Sequence, residues 1–314
     1  MEPVIVIVGP TASGKTGVSI ELAKLINGSI VSADSMQVYK YMNIGTAKPD
    51  EVERCGIDHY MIDILDPDEE FSVARYREMA LKCIEEIIKQ KKRPIVVGGT
   101  GLYINSLIHN ISFSETIRDE KLREELKREA QTKGNRYLHD KLKEVDPEAA
   151  AKIHENDLKR IIRALEVYRH TNLPISKHKE LSRLVPPFYT YLLFGLNWDR
   201  EKLYQQIEKR VDAMIEAGLI DEVRSLIRMG YDLGNTARQA IGYKEVLKYL
   251  KGEYTLEETI YILKRDTRRY AKRQLTWFRH LEGIKWIDMD ENTDYKTAAR
   301  KIIDECIATY RVIL

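Results

Sequence analysis

The strongest chemical signal in the chain lies close to its amino end. Gly9, Pro10, Thr11, Ala12, Ser13, Gly14, Lys15 and Thr16 fit the pattern G-x-x-x-x-G-K-[ST]. The two glycines permit a tight backbone path, so successive N–H groups turn inward as an anion nest at the positive end of a helix. Lys15 adds a point charge for a terminal phosphate, and the Thr16 hydroxyl suits magnesium, the expected cofactor. The pattern is one that also binds ATP, and by itself it says only that a polyphosphate binds.

Other residues narrow the chemistry. A hydrolytic enzyme of this kind carries an acid at the end of a later apolar strand to hold magnesium. Here Ile95-Val96-Val97 runs into Gly98-Gly99-Thr100-Gly101 with no acid, which argues against an ordinary ATPase and leaves small-molecule kinases open. Asp34 follows a second short apolar run, at the strand edge where open parallel sheets bind ligands. A carboxylate there can serve as general base, stand behind magnesium, or close an Asx-turn. Gln37 carries an amide able to pair with an adenine edge, and Thr100 a hydroxyl able to reach a phosphate or a base.

The elements that position these residues are legible as alternating strands and helices. Val4 to Val8 is a continuous β-branched run suited to a strand buried on both faces. Thr16 to Ile26 has helical spacing, Ser29 to Ala33 a second strand, Val73 to Gln90 another helix, and Pro94 to Val97 another strand. Such alternation predicts an α/β fold, a P-loop NTPase-like parallel sheet flanked by helices. From Ser114 to about Val185 the chain turns helix-rich and highly charged, without a clear strand, before the apolar run Tyr189 to Leu196. The expectation is a core domain over 1–113 and 186–314 with a helical insertion domain over 114–185. A short strand over Lys285 to Ile287 and a helix over Tyr295 to Ile313 are expected to close the core.

Hydrophobic residues make up 43% and charged residues 32%, enough apolar material for a core, and the net charge of +2 assigns any nucleic-acid contact to local patches. Three such patches stand out. Lys264, Arg265, Arg268, Arg269, Lys272 and Arg273 lie at helical spacing before Trp277. Arg238, Gln239, Gly242, Tyr243 and Lys244 form a second group, and Lys159, Arg160 and Arg163 a third. Cationic groups supply salt-sensitive phosphate contacts, while aromatic and Arg planes stack splayed bases. The alternating charges of Lys121 to Glu129 read mostly as solvated surface. Cys55, Cys83 and Cys306 fit no disulfide framework or zinc site and suit a reducing cytoplasm. No apolar stretch is long enough to span a bilayer, so no membrane partner is expected.

Together the segments GPTASGKT, VSADSMQVY, MNIGTAKP, HYMIDILDP, GGTGLY, NDLKRIIRALEVY, RQAIGYKE and AKRQLTWFR, in this order from Gly9 to Arg279, resemble the tRNA dimethylallyltransferase (tRNA isopentenyltransferase) family, in its bacterial form without a zinc finger. The resemblance implies transfer of a dimethylallyl group from dimethylallyl pyrophosphate to the exocyclic amine of the adenosine 3′ of the anticodon. It implies Asp34 as general base, with Thr100 and Arg210 assisting at the reacting centre. It further implies that Asp34, Ser35, Met36, Gln37, Thr100 and Arg123 face the tRNA anticodon stem-loop. A cytoplasmic monomer is the expected form. A small-molecule kinase and an adenylate isopentenyltransferase remain rival readings, against which stand the basic helices and the long insertion.

Overall fold

In this computed structural model the described residues are 3–110, 118–231 and 237–310. The strands are β1 (Val4–Val8), β2 (Gly28–Ser32), β3 (His59–Tyr60), β4 (Arg93–Gly98), β5 (Tyr191–Trp198) and β6 (Lys285–Met289). The first helices are α1 (Lys15–Ile26), α2 (Glu51–Arg54), α3 (Val73–Lys89) and α4 (Gly101–Ile108). There follow α5 (Glu120–Lys133), α6 (Asn135–Val145), α7 (Pro147–Lys152), α8 (Leu158–Thr171) and α9 (Ile175–Arg183). The chain ends with α10 (Arg200–Glu216), α11 (Leu219–Arg228), α12 (Tyr243–Leu250), α13 (Leu256–Arg279) and α14 (Tyr295–Tyr310).

The strands form one six-stranded sheet in the order β3-β2-β4-β1-β5-β6, with every pairing parallel. Parallel strands need crossover connections, which place helices over the sheet faces and bury the central strands. Val4 to Val8 are accordingly buried throughout, and Ile5, Ile7, Leu22, Ile95, Phe194 and Ile302 belong to one continuous core. β4 is inserted between β2 and β1, so the carboxyl ends of β1, β2 and β4 are neighbours. Ala33 N–H donates to Val97 O at 2.7 Å, and Thr100 N–H donates to Ala33 O at 3.2 Å. Gly98 permits this closeness, because a Cβ there would lie 2.1 Å from Ala33 O.

The chain divides into two compact units, Met1–Ile104 with Tyr189–Leu314, and Asn105–Phe188. The second unit thus begins within α4 rather than at Ser114, a position outside the described residues. In its described residues it is all helical, around Leu126, Leu138, Leu142, Ile161 and Ile162. Strand edges moved by a residue or two from expectation: β2 starts at Gly28, and β5 spans Tyr191–Trp198. The end of the expected last helix, residues 311–313, lies outside the described residues. The two-residue edge strand β3 has no sequence signature of its own, since it is defined by pairing to β2. Among the described residues no helix is long and apolar enough to cross a membrane, and the three cysteines carry free thiols.

Candidate active site

The P-loop joins β1 to α1. Gly14 is the helix N-cap with φ 85°, no side chain caps the helix, and its first turn holds no acid. The N–H groups of that turn and the positive end of the helix are therefore left for an anion. Ala12 takes a left-handed conformation, φ 61°, which turns the loop around the space an anion would fill. Two side chains from distant elements brace it. Trp198 Nε1 donates to Ser13 O at 3.1 Å from the end of β5. Thr11 N–H donates to Oε1 of the buried Gln274 at 2.8 Å, while Gln274 Nε2 donates to Gly99 O at 2.9 Å. One amide from α13 thus ties the P-loop to the glycine turn after β4.

A cavity of about 760 Å³ opens over this loop, lined by Lys15, Thr16, Asp34, Gln37, Arg210 and Tyr270 among others. Lys15 donates to Pro10 O at 2.7 Å. Burial, with Arg210 adding to it and Asp34 opposing, lowers the Lys15 ammonium to about 7. Burial also draws the Arg210 pKa below its ordinary value, against the pull of Asp34 and Glu53. Lys15, Arg210 and the Asp34 carboxylate therefore face one poorly solvated space, with Glu53 and Arg273 also on its wall.

Asp34 makes the Asx-turn that its sequence allowed: Oδ1 accepts from Met36 N–H at 2.8 Å and Gln37 N–H at 3.3 Å. Among the described residues no hydrogen bond reaches Oδ2, so the turn fixes the carboxylate and leaves one oxygen for a proton. Gln37 is held by its own amide. Its Oε1 accepts from Ser32 Oγ at 3.1 Å, and its Nε2 donates to Thr46 O and Ala47 O, both at 3.3 Å. Thr100 stands behind the cavity wall: its Oγ1 accepts from Ser35 N–H at 3.1 Å, and so props the Asp34 turn. Ser35 and Met36 line the cavity itself.

The segment Met42 to Lys48, noted in the sequence only as a motif, is the support for Gln37. Glu222 of α11 accepts from the N–H groups of Asn43, Ile44 and Gly45 at 2.9, 2.7 and 3.1 Å, and from the Tyr243 hydroxyl at 2.6 Å. Gly45 is required there, since a Cβ would lie 2.4 Å from the Tyr243 ring. Buried Lys48 donates to Tyr39 O at 2.7 Å, Asn43 Oδ1 at 2.9 Å and Asp63 at 2.5 Å. Burial lowers its pKa in spite of Asp63.

The basic patches are less free than their sequence suggests. Gly242 and Tyr243, expected at a tRNA surface, are buried, and Tyr243 packs against Gly45 and Glu222 instead. Arg238 is exposed, and Gln239 and Lys244 line the cavity. On α13, Lys264 pairs with Asp212 at 2.7 Å, Arg268 with Glu208 at 2.5 Å, and Arg265 and Arg269 with Asp266 at 2.9 and 3.6 Å. In the helical unit, Arg123 grips fully buried Glu166 through two bonds of 2.7 and 2.9 Å, and Arg163 joins at 2.7 Å. Lys159 and Arg160 are exposed, Arg160 beside Asp157 at 3.3 Å.

Sequence reasoning missed Gln274, Tyr270, Glu222 and Lys48. Only Gln274 left a trace, a polar residue on the buried stripe Leu263, Ala271, Gln274, Phe278 of an otherwise charged helix.

A resident magnesium ion can be tested against the donors present. Among the described residues no cluster of three or more His, Cys, Asp or Glu could form a protein cage. Magnesium, however, commonly takes one or two protein oxygens and completes its shell with phosphate and water. The Thr16 hydroxyl and the Asp34 carboxylate, both on the cavity wall, fit that habit.

The sequence profile of the family described as IPP transferase matches residues 37–281. A tRNA dimethylallyltransferase of Acetivibrio thermocellus is 59% identical over 315 residues, 100% of each chain. The crystal structure of the tRNA isopentenylpyrophosphate transferase of Bacillus halodurans is 44% identical, with TM-score 0.72, covering 99% of each chain. A eukaryotic dimethylallyltransferase solved acting on tRNA is 31% identical with TM-score 0.84, covering 100% of this chain and 81% of that one.

Proposed function

The chain belongs to the IPP transferase family, and on that premise we propose that it transfers the dimethylallyl group of dimethylallyl pyrophosphate to the exocyclic amine of the adenosine 3′ of the anticodon in tRNA. It is thus a tRNA dimethylallyltransferase, a prenyl transferase rather than a kinase. One observation carries the reading: a P-loop with its lysine, a second buried cation and a fixed carboxylate share a single cavity, while the end of β4 offers no acid.

The reaction forms a nitrogen–carbon bond and breaks an allylic carbon–oxygen bond, with the electron pair leaving on pyrophosphate. The P-loop amides, Lys15 and Arg210 hold the leaving group in a site built for charge, and each such oriented donor is worth roughly 10²–10³ in rate. Asp34 Oδ2 takes the proton that the amine loses, and general-base help of this kind contributes roughly 10²–10⁴. Thr100 acts through the Asp34 turn that it props. Bound magnesium, held by Thr16 with Asp34 nearby, would neutralise part of the leaving group's charge.

For the tRNA we propose an anticodon stem-loop contact through Ser35, Met36 and Gln37 at the cavity and through exposed Lys159, Arg160 and Arg238. Arg123 and Arg163 reach RNA only through whatever donor capacity Glu166 leaves them. The test is incubation with labelled dimethylallyl pyrophosphate and either unmodified tRNA or AMP, and separately with labelled ATP. Label in tRNA alone is expected. Label in AMP, or phosphoryl transfer from ATP, overturns the reading.

A further inference from the structure

Tyr295 opens α14, the helix that follows the edge strand β6, and its ring lies on the first turn of α1. A Cβ on Gly17 would fall 2.2 Å from the ring, and one on Gly14 would fall 2.9 Å from it. The ring thus takes the space of a side chain at both positions. Gly14 and Gly17 flank Lys15 and Thr16, so the covered surface is the helix end of the P-loop. Tyr295 is on the cavity wall, and half of it remains exposed. Asp34 follows β2, and β4, β1 and β5 lie between β2 and β6 in the sheet. An anion held at the end of β1 therefore has Asp34 on its β2 side and Tyr295 on its β6 side.

The two sides suit different ligands. A diphosphate ester that alkylates an amine must point its organic group at that amine, and so toward Asp34. A nucleoside triphosphate on a P-loop sets its β- and γ-phosphates at the lysine and its α-phosphate on the backbone N–H groups of the loop. Its nucleoside then leaves over the first helical turn, which here is the surface of Gly14 and Gly17. We infer that Tyr295 is a specificity-determining residue: its ring fills the nucleoside's place, so the cavity takes a diphosphate ester and disfavours nucleoside triphosphates. This rests on the transfer reading above and supplies what that reading needs, since a P-loop alone does not tell such a donor from ATP. For ATP to bind, the ring must swing off the two glycines and expose apolar surface that it now buries, which costs on the order of tenfold in affinity. Pyrophosphate reaches the N–H nest without passing the ring.

The experiment compares ATP with inorganic tripolyphosphate, which carries as many phosphates and no nucleoside. Calorimetry with magnesium gives both dissociation constants for wild type, Tyr295→Ala and Tyr295→Phe. Competition against labelled dimethylallyl pyrophosphate places both ligands at the P-loop. In Tyr295→Ala the ratio of the ATP constant to the tripolyphosphate constant should fall roughly tenfold. In Tyr295→Phe, which keeps the ring, the ratio should stay at the wild-type value. If Tyr295→Ala does not fold, Tyr295→Leu still covers the glycines but lacks the reach of a ring, and should move the ratio in the same direction. A parallel loss for both ligands leaves the ring a structural role only and overturns the inference, as does an unchanged ratio. So does weaker ATP binding alone in Tyr295→Ala, the mark of a ring that stacks on the base. Wild type that transfers no label from dimethylallyl pyrophosphate to tRNA defeats the functional reading. The ratio is read from binding, so it decides this inference in either case.

Discussion

Lys15 offers the most quantitative consequence of the site. In the ligand-free cavity burial and Arg210 bring its ammonium to about 7, from an ordinary 10.5. A bound pyrophosphate adds negative charge beside it and restores the protonated form, so binding must take up a proton wherever the free enzyme has lost one. A group titrating near 7 is about one-tenth deprotonated at pH 6, about half at pH 7 and about nine-tenths at pH 8. Uptake on binding should follow those fractions, and affinity should fall toward about tenfold per pH unit above pH 8. Calorimetric titration with pyrophosphate in two buffers of different ionisation enthalpy reads the uptake directly. Pyrophosphate has its own titration, so Lys15→Arg, whose guanidinium stays charged, supplies the baseline. Uptake at pH 8 in wild type no greater than in Lys15→Arg refutes the reasoning. Stability carries the opposite sign: folded Lys15 binds fewer protons than unfolded between about pH 7 and 10.5, so the ligand-free protein gains stability as pH rises through that window.

Other perturbations test the scaffold. Gln274→Ala leaves Thr11 N–H and Gly99 O without their partner and should cost about 2–4 kcal/mol in chemical denaturation, with about tenfold weaker pyrophosphate binding. A variant of unchanged stability would mean that the brace is idle. Glu222→Ala removes the acceptor of three backbone amides and of the Tyr243 hydroxyl, and should cost about 3–5 kcal/mol. Urea unfolding checks this, and a loss below about 1 kcal/mol contradicts it. Arg123→Ala strands the buried Glu166 carboxylate on Arg163 and one backbone amide, so thermal unfolding should show about 2–4 kcal/mol of destabilisation. If Arg123 serves only RNA, its removal lowers tRNA affinity and leaves the melting temperature in place.

The sequence by itself determined the parallel α/β core, the phosphate loop and the placement of Asp34. These follow from local rules: unbroken β-branched runs for buried strands, a glycine-lysine spacing between strand and helix, and an acid at a strand's carboxyl end. It also marked the helical, charged segment, although the contacts divide the chain at Asn105 rather than Ser114. Tertiary structure decided what spacing does not encode. Tyr243 looks like an RNA contact in a polar stretch, but its ring fills the space over Gly45 and its hydroxyl serves Glu222. The α13 cations look like a free stripe, but acids on α10 and on their own helix take up several of them. The brace from Gln274 to Thr11 spans 263 positions, and no local pattern links residues so far apart. Secondary structure and motif geometry are set by near neighbours in sequence. The partner of a buried polar group is set by whichever chain segment packs against it, and that depends on the whole fold.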